Sequence, residues 1–139
     1  MDMDKLRDFL VWCGKEGYAV SPTEVNESDG SHTIQLSQGN YTFHDNFFGG
    51  EPFGGREVVF YQHKAIWMMV YYGAVGEKVD DVKELYAFLK KALALIPDEA
   101  PFRGPKELVE NDWKYTNEWH GVVNRFHGVE EMFHHGKSV

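Results

Sequence analysis

The chain has 139 residues, 42% of them apolar and 15% aromatic, enough to build the core of a single domain over residues 1–139 and to exclude a disordered chain. Its net charge of −8, with no local run of Lys or Arg, argues against nucleic acid as a partner. No apolar run approaches the roughly 20 residues of a membrane-spanning helix, so no membrane partner is expected.

Residues 4–17 read as an amphipathic helix, because Leu6, Phe9, Leu10 and Cys13 follow the i, i+3, i+4, i+7 spacing of one face. Asp2 and Asp4 suit its N-terminus, and Gly14 or Gly17 can end it. The acidic start Met1-Asp2-Met3-Asp4 lacks the basic and apolar regions of a secretory signal. Cys13 is the only cysteine and cannot form an internal disulfide, so the expected location is the cytoplasm.

Residues 21–31 are polar, with Pro22 and Gly30, and read as a loop. Residues 33–37 and 41–48 read as strands joined by Gln38-Gly39-Asn40. In the second strand Tyr41, Phe43, Asp45 and Phe47 share one face. Then comes the segment 47–55, Phe-Phe-Gly-Gly-Glu-Pro-Phe-Gly-Gly, in which four glycines and three phenylalanines surround one carboxylate, Glu51. Glycine allows close approach of a ligand or a second chain, and the aromatics supply apolar surface beside it. Residues 56–61 and 65–72 follow, joined by Gln62-His63-Lys64. Their nearly continuous apolar runs suggest central strands covered on both faces.

Residues 80–96 form the clearest helical pattern. Asp81 and Glu84 have capping-box spacing, Val82, Leu85, Leu89, Ala92, Leu93 and Ile96 make an apolar face, and Pro97 stops the helix. Residues 100–105, Ala-Pro-Phe-Arg-Gly-Pro, form an irregular connection. Residues 113–120 alternate, setting Trp113, Tyr115, Asn117 and Trp119 on one face; 122–127 return after Gly121, and 130–135 make a last short strand. The expected fold class is therefore α+β: a curved antiparallel β-sheet of about six or seven strands with two amphipathic helices packed on one face. The abundant aromatics leave the other face open to a groove.

The residues Phe48-Gly49-Gly50-Glu51-Pro52-Phe53-Gly54-Gly55-Arg56-Glu57, Ala65-Ile66-Trp67 through Tyr72-Gly73, Ala100-Pro101-Phe102-Arg103-Gly104-Pro105, and Phe126-His127-Gly128-Val129-Glu130-Glu131 come in an order that resembles a family of small bacterial domains of unknown function. The resemblance covers nearly the whole chain. Some members follow a helix-turn-helix, which implies regulation or sensing; this chain leaves no room for such a module before Thr33. Members often continue beyond the position of Val139 with another strand, so the last sheet edge is expected to be exposed or paired with a partner.

The glycine-rich segment lacks the Gly-Lys-Ser/Thr of a phosphate loop and the glycine spacing of a dinucleotide fingerprint. It is a ligand cradle or a wide turn with a bulge. Glu51, Arg56, Glu57 and Arg103 are charges set in aromatic, glycine-rich sequence. An Arg among them can clamp a carboxylate and a partly buried Glu can act as a base; the structural alternative is an internal Arg–Glu bridge. Trp67 and Tyr71, with Tyr72, Trp113, Tyr115 and Trp119, would line a pocket or pack a core. His120, His127, His134 and His135 lack a ligand spacing, and His134 and His135 should point to opposite faces, so no metal and no cofactor is expected. Cys13 reads as core, and no nucleophile elbow occurs. The reading that results is a non-enzymatic domain binding a small molecule or a protein, with a homodimer among its partners. The alternatives are a small hydrolase or isomerase using a Glu/Arg pair, and a metal-binding protein using the C-terminal histidines.

Overall fold

A computed structural model of the chain describes residues 1–17, 24–76, 79 and 81–139. Its residues fall into two compact units, the first formed by Met1 and Glu16–Ala74, the second by Asp2–Lys15 and Val75–Val139.

The first unit carries five strands: β1 (Glu24–Asn26), β2 (His32–Gln38), β3 (Tyr41–Phe48), β4 (Phe53–Tyr61) and β5 (Lys64–Gly73). They pair antiparallel in chain order, with β1 and β5 at the edges. Short connections force this arrangement, since a tight turn can only return the chain beside itself. The register aligns Leu36, Phe43, Val59 and Trp67 in one cross-strand row and Ile34, Asp45, Glu57 and Met69 in the next. All but Glu57 are buried, so this face is the core side.

Three expectations change here. Within the expected loop 21–31, residues 21–23 lie outside the described residues, and Glu24–Asn26 form a strand against His32–Ile34. The turn between them closes because Gly30 sits at φ +88 and Asp29 accepts hydrogen bonds from the Ser31 amide and hydroxyl. β4 starts at Phe53, so Gly54 and Gly55 lie within a strand. β5 is an edge strand with one exposed face; its apolar run does not mark a strand covered on both sides.

The second unit holds both helices and four strands. Helix α1 (Met3–Trp12) buries Leu6, Phe9 and Leu10 and runs into a wider π-helical turn, Cys13–Gly17, with Cys13 in the core. Asp2 caps it through the Lys5 amide. Helix α2 (Val82–Leu93) buries Leu85, Phe88, Leu89 and Ala92; Phe88 belongs to the face and Val82 is exposed. Asp81 accepts from the amides of Lys83 and Glu84. Glu84 does not close a reciprocal box, because its carboxylate accepts the Trp113 indole N–H at 3.1 Å.

Strands β6 (Glu107–Glu110), β7 (Trp113–Val122), β8 (Arg125–His134) and β9 (Lys137–Ser138) form the second antiparallel sheet in chain order. The fold is thus α+β, with the strands divided between two open sheets of five and four rather than joined in one sheet of six or seven. The expected strands 122–127 and 130–135 merge into the one strand Arg125–His134, since Gly128 pairs in register with Trp119 and does not break it, while Val122 ends β7 and His135 lies beyond β8. Tyr115, buried with 0% exposure, anchors this unit's core.

Candidate functional site

The glycine-rich segment builds a tight corner at one end of the first sheet. Phe48 ends β3, Gly50 takes φ +97, the Glu51–Pro52 peptide is cis, and Phe53 starts β4. Only Gly50 of this corner needs left-handed backbone freedom. Gly54 and Gly55 serve a steric purpose instead. A Cβ on Gly55 would lie 2.6 Å from the Asn46 carbonyl oxygen, 2.7 Å from the Phe47 Cβ and 2.7 Å from the Tyr71 hydroxyl. The missing side chain lets Tyr71 reach across the sheet and donate to the Asp45 carboxylate at 2.9 Å. Asp45, only 6% exposed, is the cross-strand partner of Glu57 on the core side.

The two glycines leave an open depression of about 520 Å³ at this end, lined by Asn46, Phe48, Pro52, Phe53, Gly54, Gly55, Arg56, Tyr71 and Tyr72. Its exposed lining is mainly apolar, and Phe48, Phe53, Tyr71 and Tyr72 are its aromatic members. Phe53 lies over Gly73, its cross-strand partner, and the Asn46 amide is held by Ser31, Thr33 and the His32 carbonyl. Arg56 stands exposed at the margin, and its guanidinium pairs with no carboxylate among the described residues.

The structure distributes the expected site residues unevenly. Arg56 and Tyr71 line the depression, and exposed Glu51 lies beside Pro52 in the corner. Glu57 follows Arg56 in β4 and so faces the opposite side, with the core row. Trp67 is buried in that core. Arg103 belongs to the second unit, where its Nε donates to Glu130 at 2.7 Å. Glu130 also accepts from the Tyr115 hydroxyl at 2.7 Å, Tyr115 accepts from the Gly104 amide, and Asn117 donates to the Gly104 carbonyl. Burial, and next the Glu130 carboxylate, push the Tyr115 phenol far above its ordinary range, so it remains a donor. This network satisfies buried polar groups and ties the irregular connection 100–105 to β7 and β8; it is an Arg–Glu bridge to Glu130, an acid outside the set from which a bridge was expected.

The aromatic set divides as well. Trp113 and Tyr115 are core, and Trp119 meets Phe102 edge-on with Lys106 over its ring. His134 stacks on Trp113 at 4.0 Å, and His120 faces His127 across the strands. His135 does not point away from His134: it lies past the strand at φ +49, which brings the two rings to 4.2 Å. Among the described residues no group of three or more His, Cys, Asp or Glu is placed to hold a metal ion.

Sequence reading missed the wall contributed by Asn46 and the acid Glu130, while Tyr72 was among the aromatics expected to line a pocket or pack a core. Asp45 did carry a signal, since it was a lone carboxylate on the face of Phe43 and Phe47. The pattern of one family, a domain of unknown function (DUF5680), matches residues 45–139. The chain belongs to this family. No curated protein and no solved structure matches it. The matched segment of this DUF5680 chain includes every residue lining the depression and every member of the Arg103 network. No helix among the described residues is long and apolar enough to cross a membrane.

Proposed function

We propose that this chain is a non-enzymatic binding domain whose depression beside the glycine-rich corner receives a small ligand with a flat apolar body and an anionic group. The observation that carries this reading is the apolar depression, walled in part by four aromatic side chains, with exposed Arg56, which pairs with no carboxylate among the described residues, at its margin. The aromatic walls offer apolar area, and the planar guanidinium offers a two-pronged donor for a carboxylate. The lone, buried Cys13 fits a reducing compartment such as the cytoplasm. For the alternative, a Glu/Arg pair used in catalysis, Glu57 faces away from Arg56 and Arg103 donates to Glu130, while Glu51 lies in the corner beside the depression.

The test is equilibrium binding of indole-3-carboxylate, with indole-3-carboxamide as its uncharged counterpart. The carboxylate should bind about tenfold tighter, equivalent to about 1.4 kcal/mol, and Arg56→Gln should erase the difference. Equal affinity of the two probes, or a preference that survives Arg56→Gln, contradicts the assignment.

A further inference from the structure

Among the described residues the two sheets present four edges, and three of them are short and charged. β1 has three residues including Glu24, β6 has four with Glu107 and Glu110, and β9 has two with Lys137. Short length and charge are the usual protection of a strand edge against pairing with another chain. β5 has neither. It is ten residues long, its single charge is Lys64 at the start, and no Asp or Glu occurs anywhere in residues 58–76 of a chain with 22 acids. Its two faces are also unusual for an antiparallel edge. Trp67 and Met69 point into the core, yet the outward face carries Met68, Val70 and Tyr72, which are 57%, 73% and 75% exposed. Outward positions of such a strand are ordinarily polar.

We propose that β5 is the docking edge for a second copy of this chain, which adds its own β5 antiparallel across a two-fold axis. The sequence of the strand fits itself. Any register centred on Met68 or Val70 sets even positions opposite even positions, so the exposed apolar residues of both copies lie on one side of the joined sheet. No such register opposes two charges of like sign. The chain is acidic overall, and a second acidic copy is repelled least at the stretch that lacks carboxylates. Main-chain hydrogen bonds would supply the affinity and the apolar row the register.

Sedimentation velocity over a concentration series tests this, with Met68→Glu as the perturbed edge and Val129→Glu, on an exposed site of the other sheet, as control. Neither position lines the depression, so binding of the indole probe reports on that site separately. The wild-type chain and Val129→Glu should sediment at twice the mass of one chain. Met68→Glu should weaken the dimer by about tenfold or more while keeping its circular dichroism spectrum and its probe affinity. A wild-type monomer at every concentration overturns the proposal, as does a dimer that Met68→Glu leaves intact. Protection of β5 amides in a monomer only on addition of an extended peptide would assign the edge to a different partner, and overturns the second-copy proposal too.

Discussion

Replacing Gly55 with Ala tests the close approach on which the glycine-rich corner depends. The added methyl would sit 2.6 Å from the Asn46 carbonyl oxygen, where ordinary contact begins near 3.4 Å. That oxygen is backbone in the adjacent strand and cannot rotate away. Either β3 and β4 separate locally, an overpacking cost of about 1–3 kcal/mol, or Tyr71 swings out and loses its bond to Asp45. A hydrogen bond to a charged group contributes about 1.5–3 kcal/mol. Reduced freedom of the unfolded chain returns about 0.4–1 kcal/mol. The net loss should be about 0.5–2.5 kcal/mol by either route, a sizeable part of the roughly 5–15 kcal/mol that holds a domain together. Urea unfolding measures it, with an unchanged slope showing that the midpoint shift reports stability. Tyr71→Phe completes a cycle: without the hydroxyl, Gly55→Ala should cost about 1 kcal/mol less, because the two changes share one contact. A Gly55→Ala chain within about 0.5 kcal/mol of wild type would refute the reasoning.

Glu130→Gln should cost about 2 kcal/mol by thermal or urea unfolding, since it weakens the bonds to Arg103 and Tyr115 together. Because burial raises the Tyr115 phenol in the folded state, its contribution to stability is complete below the ordinary value of about 10 and is lost as pH rises above it; stability should fall there, and ultraviolet titration should find one tyrosine protonated until the chain unfolds. Asp81→Ala should cost about 1 kcal/mol, read as a lowered urea midpoint, through the two amides left without a cap at α2. Arg56→Gln should leave the urea midpoint within about 0.5 kcal/mol of wild type, as expected of an exposed side chain with no partner among the described residues.

Local patterns were legible and distant pairings were not. Asp81 and the 3.6-residue spacing located α2, the alternation in β3 placed Phe43 and Asp45 on the inner face, and the apolar face of the first helix assigned Cys13 to the core. These features depend on residues a few positions apart. The partner of Arg103, Glu130, lies 27 residues away on a strand whose register no local pattern sets, so it was absent from the acids considered for a bridge. The apolar run of β5 misled because hydrophobicity reports what a face can cover, not whether anything covers it. The division into two sheets is a matter of which strands pair, which no local pattern sets, and β1, β6 and β9, of two to four residues, are too short to show a period. The depression itself arises from missing side chains at Gly54 and Gly55. Their positions in the sequence were plain, while their neighbours across the sheet were not.

The most direct test of the binding assignment is an amide chemical-shift titration of the ¹⁵N-labelled chain with indole-3-carboxylate. Saturable shifts should cluster at Asn46, Phe53, Gly54, Gly55 and Tyr72 and disappear in Arg56→Gln. Shifts centred elsewhere on the chain, or no saturable shift at these amides, would contradict that assignment.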